Sequence, residues 1–199
     1  MAYNRKDAYY HKAKKEGYKS RAAYKLMELA QKQGLIKKGH KVLDLGAAPG
    51  GWSQVALQLI GKGGKVVAVD YAEITGINDP NFIFIQGDMT EPETLASLLA
   101  HSEGRFDIVL SDMAPKTSGV KLKDHVDCMD LARLAMTVAN DTLKPGGTFI
   151  VKIFDGEERD EYVKKMLQPR FTKVRTLRPD ATRKTSYEMY VVATGFKGV

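Results

Sequence analysis

The feature that most restricts how this chain can fold is an alternation. Short apolar runs recur along it: "KVLDLG" (41–46), "KVVAVD" (65–70), "NFIFIQGD" (81–88), "FDIVLSD" (106–112) and "TFIVKIF" (148–154). Between most of them lie helical patterns, "GWSQVALQLIG" (51–61), "PETLASLLAH" (92–101) and a long one over 125–143 that ends at "KPGG". Strands that read as continuous apolar runs are buried on both faces, and intervening helices supply the cover. The spacing therefore predicts an α/β domain with a mostly parallel sheet. "EERDEYVKKML" (157–167) predicts one more helix. "TKVRTLR" (172–178) and "SYEMYVVATGF" (186–196) follow with no helix between them, so those two strands should pair antiparallel. An earlier helix is framed by Ser20 as N-cap and Gly34 as the residue after its end.

Length and chemistry agree with one domain. The chain has 199 residues, with 43% hydrophobic and 28% charged, enough for a single core. No repeat or low-complexity linker divides it, which predicts a basic arm over residues 1–19 and one domain over 20–199. Cys128 is the only cysteine, which excludes an intrachain disulfide and fits a reducing, cytoplasmic compartment. The four histidines are scattered without ligand spacing, so no metal is expected. No apolar run reaches bilayer length and no signal-peptide core is seen, so no membrane partner is expected. A monomer is expected.

The formal net charge of +7 favours a polyanionic partner, nucleic acid first. The cations Arg5, Lys6, Lys12, Lys14, Lys15, Lys19 and Arg21 crowd the first stretch against Asp7 and Glu16 alone, with Tyr3, Tyr9, Tyr10 and Tyr18 interleaved. Such a mixture can track phosphates and stack on bases, or can be a solvated arm.

In open parallel sheets, ligands bind beyond the carboxyl ends of the strands. The first strand ends in "LDLGAAPGGWSQ" (43–54), where Gly46, Gly50 and Gly51 frame a tight turn into a helix. Ala48 occupies the place of the second glycine in a dinucleotide fingerprint, and no Walker lysine is present, so a pyrophosphate cradle is disfavoured. Asp70 ends the second strand, where a carboxylate can accept from ribose hydroxyls. Asp88 ends the third, where it can accept from an adenine amino group. Together they describe an adenosine ligand without a required phosphate, a description that S-adenosyl-L-methionine meets better than NAD. Trp52 can wall such a pocket or pack under its helix.

The reactive end holds a more unusual set. Asp112 follows the fourth strand within "LSDMAPKTSG" (110–119). Lys152 interrupts the fifth, where an unpaired buried ammonium would cost several kcal/mol. Glu188 lies in the last strand, with Tyr190 and Val192 on its face. Lys25 borders the apolar face of the early helix, one turn from Ala22 and Leu29.

The segments "SRAAYKL", "LDLGAAPGGWSQ", "LSDMAPKTSG", "FIVKIF" and "SYEMYVVA" strongly resemble the FtsJ/RrmJ family, ribosomal RNA 2′-O-ribose methyltransferases of the heat-shock type. The resemblance runs from about Tyr18 to Phe196. It implies the class I methyltransferase fold, a Rossmann-like sheet in the order 3-2-1-4-5-7-6 with strand 7 antiparallel. It implies a Lys-Asp-Lys-Glu catalytic tetrad at Lys25, Asp112, Lys152 and Glu188. It further implies that Gly46, Ala47, Pro49, Gly50, Gly51, Trp52, Asp70, Asp88, Met89 and Asp112 surround S-adenosyl-L-methionine.

The implied reaction is methyl transfer to a ribose 2′-OH, with a uridine of the large-subunit ribosomal RNA A-loop as the implied target. Lys152 is the candidate general base, and a base must be neutral. Alternatively Lys152 stays charged and steers the hydroxyl while Asp112 polarises it. Lys116, Lys121, Lys123 and "RPDATRKTS" (178–186) supply cations near the strand ends for RNA. A transfer RNA ribose, an mRNA cap or a role in ribosome assembly without catalysis are the competing readings.

Overall fold

A computed structural model of the chain describes residues 6–102, 104–115 and 118–198. Tyr3, Arg5 and Lys116, singled out above for RNA, lie outside the described residues. Seven strands form one sheet in the order β3-β2-β1-β4-β5-β7-β6. They are β1 (Lys41–Leu45), β2 (Lys65–Asp70), β3 (Phe82–Gln86), β4 (Phe106–Ser111), β5 (Leu143–Phe154), β6 (Phe171–Leu177) and β7 (Glu188–Phe196). The pairs among β1 to β5 are parallel, and β7 runs antiparallel to both β5 and β6. The expected class I methyltransferase sheet is therefore the one observed.

Alternation along the strands sends successive side chains to two separate cores. On one face Leu43, Val67, Val109, Phe149 and Val191 pack with α4 (Pro92–Ser102), α5 (Lys121–Thr142) and α6 (Glu157–Tyr162). On the other, Val42, Val66, Ile108, Ile150 and Tyr190 pack with α2 (Ala23–Gln33) and α3 (Gly51–Ile60). Lys152 has the same parity as Ile150, so its side chain belongs to the α2/α3 face. That placement decides which residues it can meet.

Several boundaries differ from the sequence reading for local reasons. Strand β5 begins at Leu143, which pairs with Phe106 before the register shifts to Thr148 opposite Ile108. The "KPGG" segment is thus an irregularity inside the strand, with Gly146 at φ +81°. Such a bulge suits residues that cannot donate or that need a left-handed turn. Helix α5 starts at Lys121, because Asp124 gathers the preceding loop: its carboxylate accepts from Ser118 N, Ser118 Oγ and Gly119 N. Ser20 does not cap α2. The N-cap is Ala22, without a side-chain bond, and Ser20 contributes its backbone carbonyl to Ala23 N. The helix predicted over 157–167 is α-helical to Tyr162 and closes in a π-helical turn, Val163–Leu167.

Residues of the basic arm form a helix, α1 (Ala8–Glu16). Asp7 caps it by accepting from Tyr10 N at 3.0 Å, and Gly17 ends it at φ +79°. Ala13 is buried, and Tyr9 and Tyr18 pack on Tyr24 of α2. Asp7 also pairs with Arg21 and with Arg183 Nε, the latter at 2.9 Å, tying the start of α1 to the loop before β7. No described helix is long and apolar enough to cross a membrane.

Candidate active site

At the carboxyl edge of the sheet, Lys152 is only 4% exposed. Its register partner across the antiparallel β5–β7 pair is Tyr190. Its ammonium donates to the backbone carbonyl of Asp112 at 2.5 Å and lies 3.2 Å from Asp112 Oδ1. Tyr190 OH donates to that same Oδ1 at 2.6 Å. Lys25, on α2, donates to Tyr190 OH at 3.0 Å and to Glu188 Oε2 at 2.8 Å. The four charged residues and Tyr190 therefore form one chain of contacts: Glu188, Lys25, Tyr190, Asp112, Lys152. Two ion pairs, Lys25–Glu188 and Lys152–Asp112, are joined through one phenol.

This arrangement answers the cost of a lysine inside a strand. A buried charge is tolerated when an opposite charge and hydrogen bonds replace its water. Burial by itself would raise the Asp112 carboxyl. Lys152 and Lys25, with the Tyr190 hydrogen bond, outweigh that effect and hold it below the ordinary carboxylate range. Burial and the neighbouring Asp112 and Glu188 push the Tyr190 phenol well above its usual value, so it stays a proton donor. The carboxylate beside Lys152 is Asp112, whereas Glu188 meets Lys25.

The glycine turn lies at the ends of β1 and β2. Gly46 N and Ala47 N donate to Val69 O, at 2.9 and 3.2 Å. Gly46 has φ +66° and Gly50 φ +107°, a region that L-residues with side chains avoid. A Cβ at Gly46 would overlap Met113, and one at Gly50 would press on Ile77 and Ile74. Asp70 braces the turn, accepting from Ala48 N at 2.9 Å and from Ala72 N at 2.8 Å. Asp88 lies two residues beyond β3 rather than at its end, and accepts from Thr90 N and Thr90 Oγ1. A hydrogen bond from Tyr71 leads the causes that hold the Asp88 carboxyl low. Met89 and Ala47 are buried beside these groups. Gly51, the first residue of α3, packs against Ser20.

Of the two readings open for Trp52, its side chain makes the packing contacts. Its indole N–H donates to Ala22 O at 2.9 Å and its ring lies 5.7 Å from that of Tyr190. The ring is 3% exposed and fills the layer between α2 and the sheet. Its work is to seat α2, and with it Lys25, over Tyr190.

A family model of FtsJ-like methyltransferases matches residues 18–196, which hold every member of this chain of contacts and the whole glycine turn. This chain belongs to the FtsJ-like methyltransferase family. Among the relatives it resembles is a protein of Methanothermobacter thermautotrophicus named ribosomal RNA large subunit methyltransferase E. The two are 47% identical over 198 residues, covering 100% of this chain and 93% of that protein. A Pseudomonas fluorescens protein of the same name is 47% identical over 193 residues, covering 96% and 91%. Among solved structures, a Plasmodium falciparum protein described as a ribosomal RNA methyltransferase superposes with TM-score 0.79 at 34% identity. That match covers 92% of this chain and 100% of the other. Aeropyrum pernix fibrillarin, solved with S-adenosyl-L-methionine, shares the fold at TM-score 0.62 and 20% identity, over 86% and 76% of the two chains.

In this FtsJ-like methyltransferase, two buried polar groups lie beyond the residues singled out in the sequence. Tyr190 carries the link between the ion pairs, and its signal was the strand alternation that puts it on the face of Glu188. Asp44, in β1, is buried and accepts from Ser53 Oγ at 2.6 Å. Its even position in β1 places it under α3, where Ser53 arrives from above. Beside Lys25 and Glu188 the methyltransferase opens into a groove of about 770 Å³, walled by Lys121, His125, Phe154 and Tyr187. A second hollow, of about 480 Å³, runs under α1 past Tyr10, Lys14 and Lys19. Arg21 and Arg183 border both.

Proposed function

We propose that this FtsJ-like methyltransferase moves a methyl group from S-adenosyl-L-methionine to the ribose 2′-OH of a uridine in large-subunit ribosomal RNA, in the A-loop, and does so in the cytoplasm as a monomer. The observation that carries the reading is the buried Lys152–Asp112 pair at the sheet's carboxyl edge, linked through Tyr190 to Lys25 and Glu188. The relatives named for large-subunit ribosomal RNA support the substrate class.

The residues present suit the cofactor. Backbone groups of Gly46, Ala47, Pro49, Gly50, Gly51 and Trp52 lie at a turn that a side chain at Gly46 or Gly50 would crowd. Asp70 and Asp88 offer carboxylate acceptors for hydroxyl and amino groups, with Met89 and Asp112 completing the surround. When bound, S-adenosyl-L-methionine supplies a methyl group on a positively charged sulfur. The residues of this chain do the rest. A ribose hydroxyl is a poor nucleophile until its proton leaves; Lys152 first gives up its own proton to solvent and then, as the neutral amine, receives the proton of the hydroxyl. Asp112 fixes the Lys152 amine through two oxygens, one carbonyl and one carboxylate, so the amine cannot swing away. Lys25 and Glu188, at the mouth of the groove, orient the ribose. Orientation of this kind is a large share of what such sites contribute.

The deciding experiment offers labelled S-adenosyl-L-methionine with large ribosomal subunits lacking the modification, with naked ribosomal RNA and with transfer RNA, and maps the labelled nucleotide. Label on one ribose 2′-oxygen of large-subunit RNA is expected. Label on a base atom overturns the site assignment, and label on transfer RNA alone overturns the substrate.

A further inference from the structure

The groove beside Lys25 and Glu188 is larger than a ribose needs, and its outer part has no role in the transfer itself. We propose that this outer part is the seat of the nucleobase attached to the reacting ribose, and that Tyr187 is the surface on which that base stacks. The inference rests on the RNA ribose reading above and adds to it the residue that holds the base.

Four observations carry it. Tyr187 immediately precedes Glu188, so its position is fixed by the same strand that brings Glu188 to the active site. Its backbone carbonyl accepts from Asp155 N at 2.8 Å, which holds the chain on the rim of the groove. Its ring is nonetheless 51% exposed, a large aromatic surface left in water while the neighbouring Tyr190 is fully buried. Lys121 Nζ lies over one face of the ring, 4.3 Å from the centroid, so that face is covered by a flexible cationic side chain that an incoming base can displace.

The groove wall carries two more rings. His125 and Phe154 lie with ring centroids 6.3 Å apart. The imidazole rests so close to Gly156 that a Cβ there would overlap it, so the glycine lets the wall lie back. The charge lining suits a nucleotide. Lys25, Lys121, Arg21 and Arg183 border the groove against Asp124 and Glu188. Asp124 is already engaged by Ser118 and Gly119, and Glu188 by Lys25. Lys121 can move from the ring to a phosphate as the base takes its place. Stacking of a base on an aromatic ring is tolerant of base identity, so Tyr187 contributes affinity and position rather than the choice of uridine.

The test uses the full chain and the substrate RNA identified by the mapping experiment. Tyr187→Ala is expected to raise KM for the RNA about tenfold, with kcat and the affinity for S-adenosyl-L-methionine unchanged. Tyr187→Phe, which keeps the ring, is expected to stay close to wild type. The ratio of the Ala variant to wild type is expected to be the same at low and high salt, since stacking releases no counterions. In a binding assay with an oligoribonucleotide spanning the mapped site, an abasic target nucleotide is expected to weaken wild type by a similar factor and to weaken Tyr187→Ala no further. An unchanged KM in Tyr187→Ala, a Phe variant as weak as the Ala variant, or fully additive losses in the binding cycle overturns this inference alone. A wild type that methylates no RNA overturns both it and the function on which it rests.

Discussion

Tyr190 donates a 2.6 Å hydrogen bond to Asp112 from the position opposite Lys152 in the β5–β7 ladder. The same hydroxyl accepts from Lys25, so one phenol couples two ion pairs that otherwise do not touch. Removing the oxygen alone isolates that coupling. Tyr190→Phe keeps the buried ring and its contact with Trp52, and leaves each ion pair intact. A hydrogen bond to a charged group contributes about 1.5–3 kcal/mol. The variant is expected to fold, to bind S-adenosyl-L-methionine normally and to lose roughly tenfold in single-turnover rate, a loss of about 1.4 kcal/mol. A rate equal to wild type would show that the link is structural only.

Lys152 is asked to take a proton, so its loss should be felt in the chemical step. Lys152→Met is expected to lower the single-turnover rate by roughly a hundredfold or more. It also strands Asp112 as a buried carboxylate, a cost of about 3–5 kcal/mol when one partner of a buried pair is removed. The double variant Lys152→Met with Asp112→Asn should recover much of that stability in a denaturant melt while staying inactive. This separates the chemical role from the folding role. In wild type the single-turnover rate should rise with pH, because only the neutral amine can accept the proton. A pH-independent rate would favour the alternative in which Lys152 stays charged and only steers the hydroxyl.

Asp44 makes a pH prediction about stability. Burial pushes its carboxyl up to about 7, against the hydrogen bond from Ser53. The folded protein thus keeps a proton that the unfolded chain releases near pH 4. The stability contribution is full below that lower value and is lost as pH rises towards about 7. Asp44→Asn should remove this dependence. Unfolding free energies from urea melts across that window should fall with pH in wild type, relative to the variant, by an amount on the order of a few kcal/mol in total. Parallel curves for the two proteins would exclude Asp44 as the source.

Asp7 holds α1 by capping it and by pairing with Arg21 and Arg183. Loss of an N-cap costs about 1 kcal/mol, and loss of the two ion pairs adds to it. Asp7→Ala should therefore speed hydrogen exchange in Ala8–Glu16 and in the loop around Arg183, with the sheet unaffected. Unchanged exchange in both segments would mean that packing of Ala13 and Tyr9 alone secures the helix.

Much of this fold was legible in the order of residues. Apolar strands alternating with helices dictated a covered parallel sheet, and the missing helix between "TKVRTLR" and "SYEMYVVATGF" dictated the antiparallel end. The glycines at 46 and 50 marked a turn that requires positive φ, and the structure has it at both. A lysine within an apolar strand marked a site, because an unpaired charge there is too costly to be accidental. Other features depend on which atoms meet. Ser20 had the chemistry of a cap, yet the chain enters α2 by a turn that leaves its hydroxyl elsewhere. Trp52 was equally suited to a pocket or to packing, and only the position of Ala22 O and Tyr190 assigned it to packing. The partner of each lysine was also undetermined, since sequence gives the face of a strand but not the separation across faces and helices. The register of β5 against β7 and the seating of α2 bring Tyr190 between Lys25 and Asp112. Sequence therefore determined which residues are chemically out of place, and tertiary structure decided how their charges are shared, because hydrogen bonds are made over distances that only packing sets.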